Sequence, residues 1–144
     1  MKKFILAFFA IVCFAGFSNA QGSVPVEQAI KWSYTVENLP NSEANLVVTA
    51  NLFHHFHLFS LKHNPANYDE TGMPTEIKFE PNPNYSLIGK VRETKAVSGT
   101  DEVGTFVWHE NKAVFTQKIK INTTKAFDIK FSTSWMICND VMCH

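Results

Sequence analysis

The feature that most constrains the fold is a two-residue alternation of apolar and polar side chains. It is clearest near the C-terminus, where one parity is apolar or β-branched: Phe127, Ile129, Phe131, Thr133, Trp135 and Ile137. Successive side chains of a β-strand point to opposite faces, so this pattern predicts a strand with one buried face. After residue 20, no segment keeps the apolar spacing of a helix. The chain is therefore predicted to be all-β.

The same reading predicts further strands along the chain. Residues 30–36 and 113–121 alternate in the same way, and β-forming stretches occupy 44–59, 75–80 and 85–92. Turn clusters rich in Pro, Asn and Gly separate them. About seven short strands with closely spaced turns are typical of a β-sandwich.

Many of the alternating apolar positions in these strands are aromatic. We expect four of them to be buried between the sheets: Trp32, Phe115, Phe131 and Trp135. Trp108 and His109 precede a predicted turn, and they either pack at a strand end or contribute to a surface for a partner.

The N-terminus has the organisation of an export signal. Lys2 and Lys3 precede an apolar run over 4–17, and small residues end at Ala20, which predicts a signal peptide over 1–20. The run is shorter than the roughly 20 residues of a membrane span, so we expect no span after cleavage. Residues 21–144 form the predicted single domain. Cleavage also removes Cys13.

Charge excludes one class of partner. The whole chain has no formal net charge, and losing Lys2 and Lys3 leaves a small acidic excess. Nucleic-acid binding, which requires a basic face, is therefore not expected. We find no phosphate-binding loop and no paired carboxylates, and the sequence predicts no cofactor.

Cys138 and Cys143 are the cysteines that remain after residue 20. In an oxidising compartment such a pair forms a disulfide. Thiol–disulfide exchange needs one sulfur that a foreign thiolate can attack and a second that resolves the intermediate. Cys143 lies beyond the predicted strand and is our candidate for the exposed sulfur, with Cys138 as the resolving one. Asp140 repels a thiolate, which favours a passive relay over a strong oxidant.

Two alternatives compete with redox exchange. The first is a non-catalytic binding module with a structural disulfide, which for so short a loop contributes about 2 kcal/mol. The second is a metal-binding protein, since strand alternation would place His55 and His57 on one face and His54 on the other. Ordinary polar positions on a half-exposed strand are the preferred interpretation of these histidines, so no metal ligand is assigned.

Five segments together resemble the N-terminal periplasmic domain of the thiol:disulfide interchange protein DsbD, and the resemblance spans 30–143. They are Phe56–Ser60, Pro74–Glu80, Tyr85–Val91, Lys112–Lys118 and Met136–Cys143. The resemblance implies an immunoglobulin-like sandwich in the periplasm with Cys138 and Cys143 as a redox-active pair. It also implies electron transfer from thioredoxin-like periplasmic or membrane-reductase domains to oxidised periplasmic thiol proteins, including those of cytochrome c biogenesis. If the chain is an enzyme, the resemblance implies a protein-disulfide reductase or thiol–disulfide oxidoreductase component.

The chain departs from this family in two places. Family members continue beyond the second cysteine with a further strand, whereas this sequence ends at His144. We therefore interpret it as a stand-alone or C-terminally truncated copy. The family also shields its disulfide with an aromatic cap loop. Here the corresponding residues are Asp101, Glu102, Val103 and Gly104, with Phe106 as a substitute for the expected ring.

Overall fold

The computed structural model describes residues 24–64, 72–100, 102 and 104–144. The predicted signal peptide lies outside these residues, so the signal, its cleavage site and the domain start remain predictions. Within the described ranges the elements are one short helix, α1 (Val26–Ala29), and ten strands: β1 (Ile30–Leu39), β2 (Glu43–Leu52), β3 (His57–Phe59), β4 (Glu76–Phe79), β5 (Tyr85–Glu93), β6 (Val97–Thr100), β7 (Thr105–Glu110), β8 (Lys112–Ile121), β9 (Phe131–Ser134) and β10 (Ile137–Cys138).

The strands form two four-stranded sheets and one two-stranded ladder, all antiparallel. One sheet has the order β1-β2-β8-β5, the other has the order β10-β3-β7-β6, and β4 pairs with β9. This arrangement confirms the predicted all-β, immunoglobulin-like sandwich. The described part of the chain contains no helix with the length and apolar character of a membrane span.

The core lies on the inward face of β2 and β8, the two central strands of the first sheet. Both strands alternate between buried and partly exposed side chains, as a sheet with one covered face requires. Phe115 is only 1% exposed, which confirms its predicted burial. Trp32, Phe131 and Trp135 are half-buried instead and pack against the rim of this core. The edge position of β1 explains why Trp32 keeps some exposure.

The best-patterned segment, 127–137, is not one strand as predicted. Its residues form β9 in the two-stranded ladder and β10 in the second sheet, while 127–130 lie outside any strand. The chain changes sheets at Trp135, whose ring packs 5.9 Å from that of Trp32. Phe127 and Ile129 still pack against a buried cluster around Ile119. The alternation therefore records burial of one face rather than continuous strand pairing.

The predicted strand over 44–59 is also interrupted. β2 ends at Leu52, and the next residues form a turn in which His54 and His55 have φ of 55° and 60°. This left-handed backbone takes both histidines out of the strand alternation, so the predicted faces of His54 and His55 are wrong. His57 opens β3. The sequence reading also missed β6 and β7, which flank the predicted cap loop.

Candidate functional site

Cys138 and Cys143 form a disulfide, and their Cα atoms are 4.0 Å apart. The chain after Cys138 folds straight back on itself. Ile137 and His144 exchange two backbone hydrogen bonds of 3.0 and 2.8 Å, and the Asn139 N–H donates to the Met142 carbonyl. The Asn139 side chain accepts the backbone N–H groups of Val141 and Met142 at 3.0 and 2.9 Å. Asn139 therefore shapes the turn that brings the cysteines together.

The two sulfur-bearing residues differ in exposure. Cys138 is 7% exposed and lies in β10, beside Ile137, which is fully buried. Cys143 is exposed, and so is the neighbouring Val141. β10 anchors Cys138 to the second sheet through its pairing with β3. The fold thus presents Cys143 to the surroundings and holds Cys138 against the protein.

His144 closes the hairpin against the beginning of the described chain. Its Nε2 lies 2.9 Å from the Val24 carbonyl, and its ring centroid is 5.6 Å from that of the buried Phe56. These contacts add to the hydrogen bonds with Ile137. The residue that follows Cys143 is therefore held in place on the surface.

An open groove of about 920 Å³ runs beside the disulfide. Aromatic and imidazole side chains share its walls with two carboxylates. Its lining includes Phe53, His54, His55, His57, Phe106, Trp108, Glu110, Asp140, Cys138 and Cys143. A partner that reaches the sulfurs would therefore meet a surface of flat rings.

His57 lines this groove next to the disulfide-bonded strand. In the sheet it lies opposite Cys138 of β10 on one side and opposite Glu110 of β7 on the other. Its ring is 6.2 Å from that of Trp108, whose indole N–H donates to Glu110 at 2.9 Å. Burial lowers the pKa of His57 below its ordinary value, although the charges of Asp140 and Glu110 act to raise it. The lowered pKa favours the uncharged form of the imidazole beside the disulfide.

We expect Asp140→Asn to lower the pKa of His57 further, because it removes a negative charge that favours the imidazolium form. Titration of the His57 ring protons by NMR measures this directly. In the parent protein the midpoint should fall below the ordinary histidine pKa of about 6.5. Asp128→Asn, which is outside the groove, serves as the control and should leave it unchanged. An upward shift in Asp140→Asn would contradict the placement of Asp140 beside His57.

The structure removes the strand alternation that suggested a metal site. His54 and His55 lie in the turn before β3 and His57 opens β3, although all three line the groove. Among the described residues there is no group of three or more His, Cys, Asp or Glu side chains that could hold a metal ion. The geometry therefore adds no support to the metal-binding alternative.

A buried carboxylate, which the sequence reading missed, lies next to the end of β3. The Glu93 side chain is 3% exposed and accepts hydrogen bonds from Ser60 Oγ at 2.7 Å and from the Leu61 N–H at 2.9 Å. His109 Nε2 lies 3.0 Å from the same carboxylate, and its side chain is 1% exposed. Burial acts to raise the pKa of Glu93, but these hydrogen bonds outweigh it and lower that pKa below its ordinary value. Ser60 directly follows β3, so the network anchors the strand that carries His57.

The predicted cap loop is only partly described. Asp101 and Val103 lie outside the described residues, Glu102 is exposed, and Gly104 has φ of 146°. Phe106, the candidate substitute for the missing ring, lines the groove. Shielding of the disulfide by this loop remains a prediction. Of the two undecided aromatic positions, His109 is buried and Trp108 lines the groove.

Comparison with known proteins connects this geometry to a fold. No protein-family model matches the sequence, and no curated protein matches it either. Two solved structures are similar. The N-terminal periplasmic domain of ScsB from Proteus mirabilis matches with a TM-score of 0.53 and 14% identity over 85% of this chain. The DsbD N-terminal domain from Neisseria meningitidis, in the reduced form, matches with a TM-score of 0.51 and 18% identity over 88%.

The chain is thus an immunoglobulin-like sandwich that ends in a disulfide-closed hairpin. Its fold is that of the N-terminal domains of DsbD and ScsB, as the resemblance in the sequence implied. The coverage of the two neighbours differs. This chain spans 86% of the DsbD domain but only 45% of the ScsB structure.

Proposed function

We propose that this protein carries out thiol–disulfide exchange through Cys138 and Cys143. The observation that carries the proposal is the difference in exposure within one disulfide. Cys143 is exposed beside an open groove, whereas Cys138 is 7% exposed and held in β10. Exchange requires this combination of an attackable sulfur and a protected resolving sulfur. The fold shared with the DsbD domain in its reduced form supports the proposal.

In the first half of the cycle the protein is reduced. A thiolate of a dithiol donor attacks the Cys143 sulfur, the Cys138–Cys143 bond breaks, and Cys138 leaves as a thiolate. The donor's second thiolate then attacks the donor sulfur that is bonded to Cys143, and the Cys143 thiolate is released. The donor departs oxidised by two electrons, and both cysteines take up protons according to pH.

In the second half the electrons pass to an acceptor. The Cys143 thiolate attacks a disulfide of the oxidised protein and forms a second mixed disulfide. Cys138 then attacks Cys143, which restores the internal disulfide and releases the reduced acceptor. The charged groups around His57 are the carboxylates of Asp140 and Glu110, which disfavour a thiolate next to them. This environment suits a relay better than a strong oxidant.

The proposed setting is the periplasm, reached through the signal peptide over 1–20. Donors are thioredoxin-like periplasmic or membrane-reductase domains, and acceptors are oxidised periplasmic thiol proteins, with cytochrome c biogenesis among the processes served. The open groove, lined by rings such as Trp108 and Phe53, supplies a docking surface for these partners.

The reduction potential of the disulfide tests the proposal. We expect a value in the range of thioredoxin-like proteins, about −270 to −180 mV. Equilibration with glutathione or thioredoxin, followed by alkylation and mass spectrometry, measures the oxidised fraction. The unfolded protein provides the control, because its reduction potential is that of the same cysteine pair without the fold. A potential below about −300 mV would support the structural-disulfide alternative instead.

A further inference from the structure

β1 is an unusually open sheet edge. It is a ten-residue strand that pairs with β2 without interruption, from Ile30 opposite Leu52 to Leu39 opposite Glu43. It ends the order of its sheet, and no described residue offers a backbone hydrogen bond to its outer side. An edge of this length exposes a row of N–H and C=O groups that can template another strand.

The other edges in the described part of the chain are interrupted or short. β5, at the opposite end of the same sheet, shifts register between Ile88 and Arg92, where Gly89 has φ of 69°. β10 and β6, the edges of the second sheet, have two and four residues. Bulges and short edge strands are the usual means of preventing edge-to-edge pairing. β1 has neither.

The side chains of β1 also leave apolar surface uncovered. Tyr34 and Val36 are 74% and 56% exposed, although their partners on β2, Val48 and Leu46, are buried. A notch of about 710 Å³ lies beside them, and the Tyr34 ring contacts that of Phe131 at 6.0 Å. Exposed apolar groups next to an open edge are typical of an interaction surface.

We propose that β1 pairs with β1 of a second copy of this chain, antiparallel and with Tyr34 opposite Tyr34. In this register Lys31 faces Glu37 and Trp32 faces Val36. The twofold axis repeats each pair, so two ion pairs and two apolar pairs form across the interface. The strand is therefore complementary to itself in both charge and apolarity.

Neighbouring registers lose this complementarity. In an antiparallel pair, two directly opposed residues either both form hydrogen bonds across the pair or both do not. The twofold axis of a symmetric pairing therefore passes between two copies of the same residue, and each possible register is defined by that central residue. Centring on Ser33 places Lys31 opposite Thr35, and centring on Thr35 places it opposite Leu39. Only the register centred on Tyr34 joins Lys31 to Glu37.

This dimer goes beyond the proposed redox function and does not obstruct it. No residue of β1 lines the groove at the disulfide. Pairing would join the first sheets of both copies into one continuous sheet and bring the exposed Tyr34 and Val36 side chains of the two copies together. Both Cys143 sites would remain open to partners.

Analytical ultracentrifugation of the purified protein tests the proposal, with a concentration-dependent monomer–dimer equilibrium as the expected result. Glu37→Lys replaces two attractive pairs with two repulsive ones and should weaken dimerisation at least about tenfold. The exchange Lys31→Glu with Glu37→Lys restores opposite charges and should recover dimerisation to within about threefold. Glu76→Lys, the same charge change at an exposed position of β4, is the matched control and should have no effect on dimerisation.

Circular dichroism establishes that each variant keeps the parent fold. A protein that stays monomeric at every concentration would overturn the proposal. The remaining occupant of the β1 edge would then be an extended segment of another protein. A dimer that is indifferent to Glu37→Lys, or is not recovered by the charge exchange, would overturn it as well. The reduction potential of the disulfide is measured separately, so failure here leaves the redox proposal untouched.

Discussion

Cys138→Ala is expected to capture a thioredoxin-like partner in a stable mixed disulfide, whereas Cys143→Ala is expected to capture little. Cys143 is exposed, and Cys138 is 7% exposed in β10, so a foreign sulfur reaches Cys143 far more easily. Without Cys138 the mixed disulfide at Cys143 has no internal thiolate to resolve it. We expect the capture rates of the two variants to differ on the order of tenfold or more, since access limits exchange.

The partner for this experiment is a thioredoxin-like protein that keeps one active-site cysteine, activated as its thionitrobenzoate disulfide. The remaining cysteine of each variant attacks this disulfide, joins the partner and releases the coloured thionitrobenzoate, which reports the rate. Both variants should react equally in denaturant, which shows that the fold creates the difference. Equal rates in the folded state would remove the assigned roles. If neither variant captures the partner and thioredoxin cannot reduce the parent protein, the redox proposal is falsified.

Glu93→Leu is expected to destabilise the protein by about 3–5 kcal/mol at neutral pH, the cost typical of removing one member of a buried polar pair. The substitution leaves the Leu61 N–H, Ser60 Oγ and His109 without the carboxylate they contact. Urea unfolding followed by tryptophan fluorescence measures the free energy of unfolding. Glu76→Leu, at an exposed carboxylate of β4, is the matched control and should change it by less than about 0.5 kcal/mol.

Glu93→Gln tests the charge of the same group through pH. The folded state lowers the pKa of Glu93, so the Glu93 carboxylate stabilises the fold. This contribution to the free energy of unfolding is complete above the ordinary carboxyl pKa, and it is lost as pH falls through the lowered pKa of the folded protein. Glutamine cannot titrate, so the difference in unfolding free energy between the parent protein and Glu93→Gln should be largest at pH 7. This difference should shrink in acid, where Glu93 of the parent protein becomes protonated. A deficit that stays constant from pH 7 to pH 3 would show that the carboxylate charge contributes nothing.

The local sequence pattern was sufficient to predict much of the fold and the cysteine pair of the site. Alternation in 30–36 and 113–121 identified the strands that became β1 and β8, because burying one face of a sheet forces a two-residue period. The disulfide was also readable, since Cys138 and Cys143 are close in sequence and Asn139 favours a turn between them. In these places the deciding interactions are local.

Other features were decided only by contacts between distant parts of the chain. The split of 127–137 into β9 and β10 depends on β3 and β4 being present to pair with them. Glu93 meets His109 and Ser60 only after β3, β5 and β7 have assembled, and nothing in their spacing marks the network. His57 lies opposite Cys138 for the same reason. The sequence by itself therefore determined the strand type, the one-sided burial and the cysteine pair. Tertiary structure decided which strands became neighbours, since pairing and burial of polar groups depend on partners far along the chain.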